Sequence, residues 1–131
     1  MTSVCDTRLL LTFKFPPSQN IRDKIRVLLD AELKRKMIIP SIVIAEYIKI
    51  AGIRVGSKPA LAHISELEAR GASTANLDRE MAVLAGNLLV VHPTVPMADA
   101  AIAATAKAMH ADYVLSDDPH FKILGVKTSW L

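Results

Sequence analysis

Five acidic residues stand where this chain's pattern would place chemistry. Asp6 closes the β-type run "TSVCD", Glu46 lies in the helical stretch after "MIIP", and Asp99 opens the alanine-rich "PMADAAIAATA". Asp117 and Asp118 follow "YVLS". In an open α/β sheet, ligands bind beyond the carboxyl ends of the strands. Carboxylates gathered there repel one another and raise each other's pKa values. A divalent cation reverses that penalty, and an oxygen-only ligand set selects a hard ion, Mg²⁺ or Mn²⁺. Water acidified by such an ion is a nucleophile. A phosphodiester, whose own oxygens complete the coordination, is the natural substrate, and the reaction implied is metal-assisted hydrolysis without a covalent enzyme intermediate.

Each acid also has a local alternative. Asp6 and Asp118 suit helix N-caps, with Thr7 and Pro119 beginning the helices. Asp99 suits the positive end of its own helix, worth about 0.3–1 kcal/mol. Glu46 lies beyond the first turn of a helix that Ser41 is expected to cap. Its helical neighbours are Ile42, Val43, Lys49 and Ile50, so an ion pair with Lys49, worth about 0.3–0.5 kcal/mol if exposed, is its remaining local role. Taken singly these roles suffice; jointly they leave an acid at every strand end unexplained.

The elements that must position these acids follow from periodicity. "SQNIRDKIRVLLDAELKRK" places Ile21, Ile25, Leu28, Leu29 and Leu33 on one helical stripe, with Ser18 as cap. "MIIP" is a short buried strand, and "SIVIAEYIKIAG" a helix closed near Gly52. "SKPALAHISELEARG" is a helix ending at Gly71, and "NLDREMAVLAGNLLVV" a helix with Leu77, Met81, Leu84 and Leu88 in register. The alanine-rich helix follows a loop around Pro93 and Pro96. "YVLSDDPHF" reads as strand, turn and short helical start, and "GVKTSWL" as a last strand. Strands alternating with helices imply a short-stranded parallel sheet covered on both faces, a three-layer α/β/α sandwich. No repeat, low-complexity tract or linker divides residues 1–131, which are expected to form one domain.

A helix apolar nearly all round is normally buried, so the alanines around Asp99 predict close packing with an acid at its mouth. Half of the residues are hydrophobic and 22% are charged, a globular composition. The single cysteine, Cys5, excludes an internal disulfide and fits a reducing compartment. No membrane-spanning segment and no signal-peptide layout are read, so the cytoplasm is the expected location. The net charge is +3, with 12 Lys/Arg against 7 Asp/Glu in residues 1–74 and 4 against 6 thereafter. That asymmetry suits a polyanion on one side and a cation on the other, and equally suits solvated helix faces. His63, His92, His110 and His120 show no metal-ligand pair, so zinc is not indicated. His120 and the "KRK" at 34–36 are read as surface features, Cys5 as a core residue, and Thr105 as a buried hydroxyl bonded to its own helix.

The motifs together resemble a PIN-domain protein, and specifically a prokaryotic VapC-type toxin ribonuclease. "VCDTRLLL" matches a strand followed by Asp-Thr and leucines, and "IPSIVIAEYIK" a strand, a Pro-Ser start and a helical Glu. "MADAAIAATA" is close to an Ala-Asp-x-x-Ile-Ala-Ala-Thr-Ala pattern, and "ADYVLSDDPHF" matches a strand, a Ser or Thr, and one or two acids before Phe. The resemblance covers nearly the whole chain. It implies that Asp6, Glu46 and Asp99 are catalytic, metal-holding acids, with Asp118 or Asp117 as the fourth, Asp118 preferred. It implies supporting roles for Thr7 and Ser116. It further implies an RNA substrate, a homodimer, Mg²⁺ or Mn²⁺ as cofactor, and a small antitoxin whose C-terminal segment enters the groove.

A PIN nuclease of RNA maturation would share every motif. A non-catalytic PIN binding module would be expected to lose one acid, whereas all four positions are filled. A phospho-acceptor domain would want an acidic pair near the first strand, where "VCDTR" has one acid. Six aromatic residues make stacking-based single-strand binding a poor fit, so phosphate contacts fall to Arg8, Lys14, Lys34, Arg35, Lys36 or Lys49.

Overall fold

The computed structural model describes residues 1–131. Five strands and seven helices alternate: β1 (Thr2–Cys5), α1 (Thr7–Lys14), α2 (Gln19–Lys34), β2 (Lys36–Pro40), α3 (Ser41–Val55), α4 (Ser57–Ala69), β3 (Ser73–Ala75), α5 (Arg79–Val91), α6 (Met97–Ala108), β4 (Tyr113–Leu115), α7 (His120–Ile123) and β5 (Thr128–Ser129). The sheet order is β3-β2-β1-β4-β5, and every pairing is parallel. From β1 the chain steps outward to β2 and β3, then returns across the sheet to β4 and β5. Right-handed crossovers therefore put α1–α4 on one face and α5–α7 on the other. The three-layer α/β/α expectation holds. The direction reverses between β1 and β4, which makes the gap at their carboxyl ends the topological switch point.

The strands are short because both faces are covered and each needs only three or four apolar residues. Val4, Cys5, Met37, Ile38, Ile39, Val114 and Leu115 are fully buried. The α2 stripe settles Ile25 and Leu29 into the same core, each such side chain contributing about 1.5–3 kcal/mol. Ser18 caps α2, its hydroxyl accepting from Ile21 N at 3.2 Å. Cys5 and Thr105 also lie where expected: Cys5 is buried, and the Thr105 hydroxyl donates to Ala101 O at 2.8 Å.

The alanines of α6 do two jobs. Ala100 and Ala104 meet Ala85 of α5, while Ile102, Ala103 and Ala106 enter the main core. Every residue from Ala100 to Ala106 is buried. No helix is long and apolar enough to cross a membrane.

Several local expectations are corrected. Ser41 does not cap α3: the N-cap is Pro40, and the Ser41 hydroxyl instead accepts from Leu77 N at 3.0 Å. Gly52 does not close that helix, which runs to Val55 and stops at Gly56, where φ is +98° and a side chain would be strained. Leu77 lies before α5, whose cap is Asp78 accepting from Met81 N. Strand β3 was not expected at all. The "KRK" segment is exposed, as expected, but does not belong to one helix: Lys34 ends α2, Lys36 begins β2, and Arg35 between them donates to the Tyr113 hydroxyl at 3.2 Å.

Candidate metal centre at the switch point

Each candidate acid arrives at the carboxyl edge on a different element. Asp6 follows β1 and caps α1, its Oδ1 accepting from Thr7 N at 2.7 Å. Its other oxygen, Oδ2, accepts from the Ser116 hydroxyl at 2.6 Å, which crosses the switch point to the end of β4. Ser116 Oγ in turn accepts from Asp118 N at 3.0 Å, fixing the turn after β4. Thr7 makes a second link, its hydroxyl donating to Glu46 Oε1 at 2.7 Å. Glu46 forms no ion pair with Lys49; its partner comes from 39 positions away. Asp99 sits in the first turn of α6.

The electrostatics tie these groups into one cluster. Burial pushes the Asp6 carboxyl up to about 6; hydrogen bonds from Ser116 and Thr7 oppose that rise, and the charges of Asp99 and Asp118 add to it. Burial also raises Asp99, helped by Asp118 and by Glu46 and opposed by His120. Four carboxylates thus feel one another at the switch point: Asp6, Glu46, Asp99 and Asp118.

The acidic doublet divides. Asp118 turns inward, while Asp117 turns to Arg8, with Nε–Oδ1 at 2.7 Å and Nη2–Oδ2 at 3.2 Å. His120, expected as a surface residue, stands inside the cluster. Its Nδ1 lies 2.8 Å from Asp118 Oδ1 and 3.1 Å from Asp99 Oδ2. Asp99, Asp118 and His120 bring their ligand atoms within 4.8 Å of one another. The local signal for His120 was its two-residue spacing from Asp118, whose Oδ1 accepts from His120 N at 2.9 Å. The approach of Asp99 from another helix gave no such signal.

The donor set suits a hard dication. Carboxylate oxygens predominate, and two of the acids are held above their ordinary range, first by burial and then by the charges of their acidic neighbours. Asp99 and Asp118 keep 14% and 19% of their side-chain surface exposed, so solvent and solutes reach the cluster. Recesses of about 500 and 350 Å³ lie elsewhere, beside Val27 and Trp130 and beside Lys107 and Tyr113. The acids occupy an edge of the sheet rather than either hollow.

The fold is an α/β sandwich with acids at its switch point, and residues 4–127 match the PIN-domain family: the chain belongs to that family. Among solved structures it is similar to Mycobacterium tuberculosis VapC20, described as a Sarcin-Ricin loop cleaving toxin, with a TM-score of 0.79 at 14% identity over 95% of each chain. It is also similar to VapBC2 from Rickettsia felis bound to a promoter DNA fragment, with a TM-score of 0.75 at 16% identity over 99% of this chain and 98% of that one. DNA-bound VapBC from Salmonella typhimurium gives 0.71 at 23% identity, again over 99% and 98%. At these identities the likeness is one of fold. Comparison of the sequence with curated proteins yielded no match.

Proposed function

We propose that this chain, as one PIN domain spanning residues 1–131, is a divalent-cation-dependent endoribonuclease acting as the toxin of a VapBC-type toxin–antitoxin pair. The observation that carries the reading is the meeting of Asp6, Glu46, Asp99 and Asp118 from four separate elements at the switch point. Those four side chains would hold Mg²⁺ or Mn²⁺. When bound, such an ion supplies charge for a phosphodiester oxygen and acidifies water. The chain's own contribution is preorganisation. Ser116 and Thr7 fix both oxygens of Asp6, Thr7 also fixes Glu46, and the buried alanines of α6 fix Asp99. Partners that hold a ligand's orientation matter nearly as much to a metal site as the ligands themselves.

The family membership and the likeness to VapC folds support RNA as substrate, a homodimer as the working form, and a small antitoxin as partner. The same reading places the protein in the cytoplasm. An open edge suits a polymer strand better than a small ligand, which calls for an enclosing pocket.

The test is expression and purification of the wild type and of Asp99→Asn, followed by mapping of new RNA ends. The wild type should arrest growth and cut few sites, with cleavage abolished by EDTA and restored by Mg²⁺ or Mn²⁺. The variant should fold and not cut. Cleavage indifferent to chelator, or full activity in the variant, would overturn the reading. Cleavage without growth arrest would keep the nuclease and remove the toxin.

A further inference from the structure

Beyond the acids, the rim of the site carries a charge pair whose placement helix stability does not explain. Arg8 is the second residue of α1, and that helix has no acid in its first turn. A cation there opposes the positive end of the helix dipole. The pair it forms with Asp117 is open to solvent, with 56% and 41% of the two side chains exposed. Exposed pairs of this kind add little to stability. Yet both partners are neighbours of site residues: Arg8 follows Thr7, and Asp117 lies between Ser116 and Asp118.

The geometry is that of a prepared donor. Nε and Nη2 face the two oxygens of Asp117 side by side. A guanidinium has five N–H donors in a fixed plane, so the remaining three stay free on a fork that no longer has to be ordered on binding. Four carboxylates outnumber the charge of one dication, so the cluster behind it stays anionic even when loaded, and a cation at the rim eases the approach of a phosphodiester.

Resting on the nuclease reading above, we infer that Arg8 contacts a phosphate of the RNA backbone beside the cleaved bond, and that Asp117 is its positioning residue. Asp117 is then no ligand of the cation. The contact is made in the ground state and the transition state alike, so its loss should raise KM more than it lowers kcat.

The experiment measures cleavage of a short single-stranded RNA by wild type, Arg8→Ala, Arg8→Lys, Asp117→Ala and the Arg8→Ala/Asp117→Ala double variant. Arg8→Ala should raise KM about tenfold while kcat changes less than threefold. Arg8→Lys, a point charge without the fork, should recover part of that loss. Asp117→Ala should raise KM about threefold alone and add nothing once Arg8 is gone. Equilibrium binding to the non-cutting Asp99→Asn protein, with and without Arg8→Ala, supplies a second readout. Losing one single-strand phosphate contact lowers the salt-dependence slope by about 0.7. An unchanged KM and slope in Arg8→Ala would overturn the phosphate contact. A collapse of kcat in Asp117→Ala would return that residue to the metal centre and overturn its positioning role. A wild type that cuts no RNA would instead refute the nuclease reading on which both rest.

Discussion

The Ser116 hydroxyl donates to Asp6 Oδ2 over 2.6 Å and 110 positions of sequence, joining the ends of the two strands that flank the switch point. Ser116 Oγ also accepts from Asp118 N, so one buried hydroxyl sets both an acid and the turn that presents another. Replacement by alanine leaves the Asp6 oxygen and the Asp118 N–H without this partner. Ser116→Ala should cost about 1–3 kcal/mol in urea unfolding. It should also weaken Mn²⁺ binding by about 10–100-fold in calorimetry. Wild-type affinity in the variant would contradict the orienting role.

Chelator-treated protein should lose stability as pH rises from 4.5 to 7. The Asp6 carboxyl sits at about 6 in the folded chain against an ordinary value of 3.8. A carboxyl raised in this way contributes stability that is complete below its unfolded pKa and lost as pH climbs through the folded one. The shift corresponds to about 3 kcal/mol, and Asp99 moves in the same direction. Thermal unfolding of Asp6→Asn should show a smaller fall over that range. Saturating Mg²⁺ should flatten the wild-type profile by supplying the missing positive charge. A stability that rises across this interval would contradict the arrangement.

Thr7→Val tests the link between α1 and α3. Valine keeps the shape and the backbone N–H to Asp6 but removes the hydroxyl that donates to Glu46. Cation affinity should drop about tenfold, with a stability change of about 1 kcal/mol. Unaltered metal titration would separate Glu46 from the centre.

Ala103→Leu tests the packing that aims Asp99. Ala103 is fully buried within the main core. Added methylenes there should cost about 1–3 kcal/mol by forcing backbone or rotamer shifts. Val90→Ala, on the exposed end of α5, should stay within about 0.5 kcal/mol. Equal denaturant midpoints for the two variants would count against the tight fit of α6.

The long helices, four of the five strands and the acids that meet at the carboxyl edge were legible because periodicity and strand-end acids are written locally. The rest was not, for identifiable reasons. Strand β3 has three residues, too few for alternation, and exists because its backbone pairs with Ile38–Pro40. Ser41 looks like a cap, but its hydroxyl is taken by Leu77 N from 36 positions away. Asp117 and Asp118 are chemically identical neighbours, and their directions are separated by Arg8, the second residue of α1, on one and by Ser116 and His120 on the other. His120, the first residue of α7, meets Asp99 of α6, an approach that no spacing along the chain encodes.

The unbroken run of seven buried residues in α6 has a consequence for what lengths this chain tolerates. One residue inserted after Asp99 would rotate everything beyond it by about 100°, putting Ala101 in the core position of Ile102 and turning Ala103 from the core toward α5. The loop before that helix is exposed at Pro93 and Thr94, and only Val95 enters the core. Insertions between Val91 and Thr94 should therefore leave a working protein, and single insertions between Asp99 and Thr105 should leave none.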